Sequence, residues 1–526
     1  MKKRNMQGIS CLLAGAIWAL SNHAFAGITL EAIGGYDTGL VDEDAAEIVA
    51  HDVQSQRLFV VNGATDGIDV LDITDPVNPV LADEIDLSTF GNAANSVAVY
   101  DGVLAIAIEA EVKQAPGSVV LMKASDLFLI NEFEVGPLPD MLTFTPDGSY
   151  LLVANEGEPN DDYTVDPEGS ISVIDLRGGD PASIGQDQVK TAKFDQRVRY
   201  RNRSSIRVFG PNATPAQDFE PEYIAVYQQK NRYHKWGKRS SKWKAMVTLQ
   251  ENNAVAIVDV ASARIEKVVG LGFKNHQKAR NAIDVSNRDD AISIRTWPVY
   301  GMYQPDAIAS YTVNGRPYFL IANEGDARDY DGFSEEERVG DLTLDATAFP
   351  NAAELQADEN LGRLKITTTL GDVDKDGDYD RLFSYGARSF SILNRFGYSV
   401  FDSDSEFEFI TASALPAAFN SQGGADSFDS RSDDKGSEPE GVVVGEIKGR
   451  QYAFIGLERI GGIMIYDVTD PGNPFFVNYS NTAEELGDIA PEGIKFIPAD
   501  QSPNGKPLLV VGFEFSGTTR IFEIKN

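Results

Sequence analysis

Short apolar runs recur in pairs along this chain, most entered through an acid that follows a proline and left through a second acid. The fullest copy reads Gln304-Pro305-Asp306-Ala307-Ile308-Ala309, then Tyr318-Phe319-Leu320-Ile321-Ala322-Asn323-Glu324-Gly325. The phrase returns from Pro139-Asp140 to Asn155-Glu156, from Pro221-Glu222 to Gln250-Glu251, from Pro439-Glu440 to Leu457-Glu458 and from Pro491-Glu492 to Phe513-Glu514. Weaker copies run from Glu47 to Asn62 and from Ser96 to Glu109, which makes seven. Each pair of runs is followed by a third and usually a fourth. The turn Asp72-Ile73-Thr74-Asp75-Pro76-Val77-Asn78-Pro79 recurs as Asp467-Val468-Thr469-Asp470-Pro471-Gly472-Asn473-Pro474. Short β-branched runs bounded by Gly, Pro, Asn and Asp are strands, and internal repetition marks a repeat architecture. The fold expected is all-β, a seven-bladed β-propeller of four strands per blade.

The last copy ends with its third strand, residues 519–524. The apolar stretch 28–33 is expected to supply the missing fourth strand, closing the ring and removing two open edges. Spacing between copies is uneven, and the surplus lies in insertions. The longest, 325–385, separates the second and third strands of the fifth copy; others precede copies four, five and six. Loops of these kinds share one face of a propeller, so long insertions are expected there, where function concentrates.

Residues 1–26 have the form of a secretory signal peptide. Lys2, Lys3 and Arg4 precede an apolar run, and Ala24-Phe25-Ala26 offers small residues at the cleavage positions. The domains expected are therefore this leader and a single propeller over 27–526. The one cysteine, Cys11, lies in the leader, which excludes disulfides and thiol chemistry from the rest. The expected product is secreted or periplasmic and monomeric, with no membrane span and no C-terminal anchor. A formal charge of −34 disfavours nucleic acid and favours divalent cations. Against that background, residues 230–244 and the arginines at 197, 199, 201, 203 and 207 form basic clusters, read as solvated loops.

The repeat puts one residue at the start of each first strand and one at the end of each second strand, all at one rim. Twelve of these fourteen are acids: Glu47, Glu109, Asp140, Glu156, Glu222, Glu251, Asp306, Glu324, Glu440, Glu458, Glu492 and Glu514. Asn62 and Ser96 are the others. Carboxylates that converge repel unless neutralised, and a hard-oxygen set suits Ca²⁺ or Mg²⁺. A second candidate is Asp372-Val373-Asp374-Lys375-Asp376-Gly377-Asp378-Tyr379-Asp380, which matches the front of an EF-hand calcium loop. Its twelfth position is Phe383, where a bidentate Glu is normal, so a last ligand must come from elsewhere. Asp326 extends the rim acids. Arg328, Arg388 and Arg459 fall in the same rim segments and are candidates for binding a small phosphorylated or other anionic ligand. With three histidines beyond the leader and no G-x-S-x-G, H-E-x-x-H or P-loop, common hydrolase and zinc chemistries lack support.

The segments Leu138-Pro139-Asp140-Met141, Ala154-Asn155-Glu156-Gly157-Glu158-Pro159-Asn160-Asp161-Asp162-Tyr163, Gly301-Met302-Tyr303-Gln304-Pro305-Asp306 and Ala322-Asn323-Glu324-Gly325-Asp326-Ala327-Arg328-Asp329-Tyr330-Asp331-Gly332-Phe333 resemble the choice-of-anchor I proteins of bacteria. That family is related to mesenchyme-specific cell surface glycoproteins. The resemblance implies a secreted propeller with calcium or biomineral association in the animal relatives. Some bacterial relatives carry an alkaline phosphatase label. Two functions are therefore expected to compete: a calcium-binding extracellular binding protein, and a metal-dependent phosphomonoesterase working at the acidic rim.

Overall fold

The computed structural model describes residues 27–230 and 241–526. The fold is all-β; the longest helix among the described residues, Glu406–Ala414, has nine residues. Seven sheets follow one another in chain order: six have four antiparallel strands, and the fourth adds a fifth strand, Arg199–Arg201, parallel to Arg264–Gly270. Their first strands are Val49–Asp52, Ala94–Tyr100, Pro139–Phe144, Pro221–Lys230, Ile308–Val313, Pro439–Ile447 and Pro491–Ile497. Each first strand lies against the first strand of the next sheet, and Pro491–Ile497 lies against Val49–Asp52.

Burial follows strand position. Second strands such as Tyr150–Asn155 and Leu508–Phe513 are buried along their whole length. This is why they read as unbroken apolar runs and not as alternating ones. Outer strands such as Val80–Ile85 are mostly exposed. Aromatic contacts span the gaps between sheets, with ring centroids 5.0 Å apart for Tyr227 and Phe319 and 4.7 Å for Phe390 and Tyr466. Approach between first strands is close enough that a side chain at Gly441 would strike the carbonyl oxygen of Glu492.

Thr29–Asp37 pairs antiparallel with Thr518–Lys525 and becomes the fourth strand of the last sheet. The strand is longer than residues 28–33, because a bulge between Ala32 and Gly34 lets pairing continue to Asp37. Ile28 is fully buried in the core between the last two sheets, with Leu30 packed against it.

The insertions carry more structure than loops. Phe273–Asn275 and Tyr300–Met302, from before the fifth sheet, join Glu336–Arg338, Lys365–Thr367 and Phe383–Ser384, from within it, in one five-stranded sheet. That sheet has its own core, including Trp297, Leu344, Phe349 and Leu361. Residues 231–240 of the basic stretch lie outside the described residues, as do residues 1–26, the expected leader. The remainder of the stretch is not a solvated loop. Lys244 belongs to the strand Ser241–Leu249, is buried, and pairs with Asp259 at 2.8 Å and Glu266 at 2.9 Å. The Trp243 indole donates to Asp147 at 2.9 Å. Of the second basic cluster, Arg207 is 3% exposed and pairs with Glu335, stitching the 200–220 segment to the inserted sheet.

Deleting residues 27–37 should leave both a bare edge on Thr518–Lys525 and a hole where Ile28 lay. Full burial of one such side chain is worth about 1.5–3 kcal/mol. A urea titration should show a loss of at least about 3 kcal/mol, and size-exclusion chromatography should show association through the freed edge.

Candidate functional site

The acids owe their placement to a backbone device that sequence reasoning missed. Leu138, Gln304, Glu438 and Ala490, each preceding the repeat proline, have φ of 46, 41, 50 and 60°. Non-glycine residues rarely adopt this region, and each such residue costs about 1–3 kcal/mol. Their carbonyls accept hydrogen bonds from the backbone N–H of Glu156 (2.8 Å), Gly325 (3.1 Å), Glu458 (2.8 Å) and Glu514 (2.9 Å). After three of these residues, and also at Pro221, the register slips: between Pro139 and Leu142, Pro221 and Ile224, Pro439 and Val442, and Pro491 and Ile494. Asp140, Glu222, Glu440 and Glu492 each occupy that bulge, and bulges re-aim side chains.

Asp140, Glu156 and Glu222 come together, each with a carboxylate oxygen within 4.8 Å of the others. Among the described residues no lysine or arginine forms an ion pair with any of them. Burial, then Glu158, pushes the Asp140 carboxyl up to about 7, against the opposing pull of Lys113. Burial with Glu158 and Asp140 lifts Glu156 well above its ordinary range, and burial with Glu156 and Glu251 does the same to Glu222. Glu251 is 5% exposed, and its Oε2 is buried without a hydrogen-bond partner.

A second trio, Glu324, Glu438 and Glu458, has the same spacing but a different electrostatic solution. Lys435 Nζ lies 2.6 Å from Glu324 and 3.1 Å from Glu438. Arg431 reaches Glu438 at 2.8 Å, and Arg459 reaches Glu458 at 2.7 Å. Burial alone would raise Glu438, but Lys435, Arg431 and Arg459 outweigh it and hold the carboxyl at about 2. Glu458 is pushed up to about 8 by burial, then by Glu438 and Glu324. Asp306 joins the two trios: after burial, Glu324 and Asp140 are the main influences that raise it. Glu440 is raised by burial and by Glu324 and Glu458, and Glu492 by burial and by Glu47 and Glu514. Glu47 is pushed up to about 8 by burial and Glu514.

The three arginines divide. Arg328, 2% exposed, spends its guanidinium on Asp218 (2.6 Å) and Glu220 (2.7 Å) over the face of Phe209. Arg388, 3% exposed, is spent on Glu408 (2.8 Å) and the carbonyls of Asp284, Ser432 and Asp434. Neither is available to an anion, because desolvated guanidinium groups were paired inside the protein. Arg388 instead fixes the loop that delivers Lys435; a Cβ on Gly436 (φ 73°) would lie 2.8 Å from the Arg388 side chain. Arg459 is partly exposed. Asp326 is half exposed, 4.0 Å from Lys435.

In the inserted segment, Asp372, Asp374 and Asp380 form a third trio. Asp376 and Asp378 fall outside it, and Asp372 accepts from the N–H groups of Lys375 (2.6 Å) and Gly377 (3.1 Å). Glu438, Lys435 and Glu220 were not among the sequence candidates. The available signal was that the insertion before the sixth copy, unlike the acidic repeat, carries Arg431 and Lys435 next to Glu438.

The family model of the choice-of-anchor I domain matches residues 47–471. The chain belongs to the choice-of-anchor I family. It is similar to Gigasin-3a of Magallana gigas, with 35% identity over 191 residues, covering 32% of this chain and 67% of that protein. Among solved structures it is similar to the hydrazine synthase of Kuenenia stuttgartiensis, with 14% identity, a TM-score of 0.45, and coverage of 93% and 99% of the two chains. It is also similar to the β-propeller domain of Myceliophteria thermophila Cps50 (Swd1), with 10% identity, a TM-score of 0.41, and coverage of 94% and 100%. At these TM-scores the structural likenesses carry no functional argument. No helix among the described residues is long and apolar enough to cross a membrane.

Two outcomes test this electrostatic picture. Arg328→Met should cost about 3–5 kcal/mol in urea unfolding, since it strands Asp218 and Glu220 as buried charges. In chelator, stability should fall as pH rises from about 5 to 8. Asp140, Glu47 and Glu458 titrate near 7 to 8 when folded, against ordinary values of 3.8 and 4.5. Across that window the folded state holds more protons than the unfolded one. Their stabilisation is therefore full only below the unfolded values and is lost as pH rises to and through the folded ones. A set of melting curves in chelator at stepped pH measures the slope.

Proposed function

We propose that this chain is a secreted, seven-bladed propeller, released from the leader 1–26 and closed by Thr29–Asp37, that binds a divalent cation in its acidic channel mouth. Its role is that of an extracellular or cell-surface binding protein. The observation that carries the reading is the Asp140, Glu156 and Glu222 trio, whose carboxylate oxygens lie within 4.8 Å of one another with no ion pair to lysine or arginine among the described residues; Lys113, which pulls Asp140 down, is itself ion-paired with Glu158. An all-oxygen set of this kind fits Ca²⁺, with Mg²⁺ as the smaller alternative. The 372–380 loop is a second calcium position, built from Asp372, Asp374 and Asp380.

The binding reading is preferred to a phosphomonoesterase at the same rim. In a metal-dependent hydrolase the ion itself can take up developing charge, but two of the arginines expected to hold the phosphate, Arg328 and Arg388, are committed inside the protein. Arg459 alone of the three keeps an exposed edge.

A cation that binds only the folded state stabilises it by about 2.7 kcal/mol at 100 times its Kd. The melting temperature should rise with Ca²⁺ and fall in chelator. Glu222→Gln should blunt that rise, whereas Glu84→Gln, on the exposed Val80–Ile85 strand, should not. Calorimetry on Asp374→Ala with Asp376→Ala should lose one site. No Ca²⁺-dependent rise in the wild type would overturn the reading, and steady turnover of a generic phosphate ester that stops in chelator would favour the hydrolase.

A further inference from the structure

We infer that a divalent cation, best matched by Ca²⁺, binds where the insertion before the fifth sheet meets the one before the sixth, held by Asp284, Asn287 and Asp289 from the first and by Asn420 and Asp429 from the second. The site is separate from the acidic mouth, and the inference does not depend on the function proposed there. What points to a ligand is a set of buried oxygens with nothing to bind. Asn420 is 0% exposed, yet its Oδ1 has no hydrogen-bond partner. Asp429 is 3% exposed, and its Oδ2 has none either. The two flank one hydroxyl: the Asn420 amide donates to Ser432 Oγ at 2.9 Å, and Ser432 Oγ donates to Asp429 Oδ1 at 2.5 Å. On the other insertion, Asn287 Oδ1 is also buried without a partner. Buried polar groups are nearly always paired, and one that is not calls for a water or an ion.

The two insertions are tied together at this point. The Arg388 guanidinium donates to the Asp284 carbonyl at 2.6 Å and to the Ser432 carbonyl at 2.8 Å, so it spans both. Glu408, the ion-pair partner of Arg388, accepts from the Asp284 N–H at 3.4 Å. Burial pushes the Asp429 carboxyl up to about 8, and Asp284, Asp289 and Glu408 raise it further, against the Ser432 hydroxyl. Among the described residues no lysine or arginine forms an ion pair with Asp284, Asp289 or Asp429. Arg388 is spent on Glu408 and on backbone carbonyls, which leaves three carboxylates without a counter-charge. With the two amide oxygens they make a hard-oxygen set, and waters complete the six to eight ligands that Ca²⁺ takes. An ion here would fasten the 429–434 loop, whose carbonyls anchor Arg388 and which leads directly into Lys435.

The test is hydrogen exchange on the full chain, stripped by chelator until its calcium content is nil, then read with and without Ca²⁺. Peptides covering 284–293 and 419–434 should exchange about a hundredfold more slowly at 100 times the Kd, because opening must release the ion. Asp429→Asn, which keeps the shape and removes one charge, should lose that protection and bind one ion fewer by calorimetry. Glu222→Gln, at the mouth, should keep the protection. Unchanged exchange of both peptides in the stripped wild type would overturn the inference, as would equal stoichiometry in a folded Asp429→Asn protein. Should that variant fail to fold, the wild-type exchange decides alone. Protection of these two peptides with none around Asp140 and Glu222 would defeat the function proposed above and leave this inference standing; the converse pattern would do the reverse.

Discussion

Like charges brought together out of water are the constraint on which this molecule turns. Two unit charges 4 Å apart at an effective dielectric of about 20 repel by about 4 kcal/mol. Whole domains are stable by about 5–15 kcal/mol. Three or four uncompensated pairs would therefore unfold the protein, yet the repeat delivers acids to one end in nearly every sheet. Each must lose its charge or acquire a partner. Asp140, Glu156, Glu222, Asp306, Glu440 and Glu492 are pushed toward the neutral form by burial and by one another. Glu438, ringed by Lys435, Arg431 and Arg459, stays ionised.

Most of the counter-charges come from the insertions; Arg459, directly after Glu458, and Lys113, in the second sheet, are exceptions. Arg328 and Glu335 follow the second strand of the fifth sheet, Arg388 precedes its third strand, Asp218 and Glu220 precede the fourth sheet, and Arg431 and Lys435 precede the sixth. The pairs they form span 108 residues for Arg328 and Glu220 and 128 for Arg207 and Glu335. Folding the inserted sheet onto the acidic end is thus coupled to neutralising it. Its separate core around Trp297 and Leu361 holds these charges in register.

This division explains which parts were legible beforehand. The strands could be read because each needs a local pattern: unbroken apolar residues where both faces are covered, as in Tyr150–Asn155, and turn residues where the chain reverses. The stretch near Ile28 could be read as a strand because the last copy lacked one. The rim acids could be read because repetition aligned them. Glu438 could not, since it precedes the repeat proline, where the other copies hold Leu138, Gln304 and Ala490. Its left-handed backbone, shared by all four, leaves no mark in residue type. Arg328 and Arg388 were legible as charged rim residues, but their partners lie in segments that nothing in the sequence links. The basic stretch misled because charge density says nothing of direction: Lys244 alternates inward on a strand.

The seven repeats make the acidic end nearly symmetric, and a symmetric ring of carboxylates has no preferred place for a ligand. Departures from symmetry create one. The second copy has Ser96 in place of an acid, buried and 3.4 Å from the Leu142 N–H, so it contributes one acid, Glu109, instead of two. The sixth copy receives Lys435 and Arg431 from its insertion, so its acids are balanced. What lies between, Asp140, Glu156 and Glu222 with Glu251 beside them, receives neither treatment. The strained residue before Pro139 and the bulge at Asp140 are kept there even though no ion pair among the described residues balances the carboxylates they gather. Backbone strain at such a position persists where the surrounding structure over-determines it, here through the Leu138 carbonyl accepting from the Glu156 N–H at 2.8 Å. On the proposed cation-binding reading, the third and fourth sheets are thus the sector in which the imbalance of the ring is greatest, while Lys435, Arg431 and Arg459 balance the acids of the sixth.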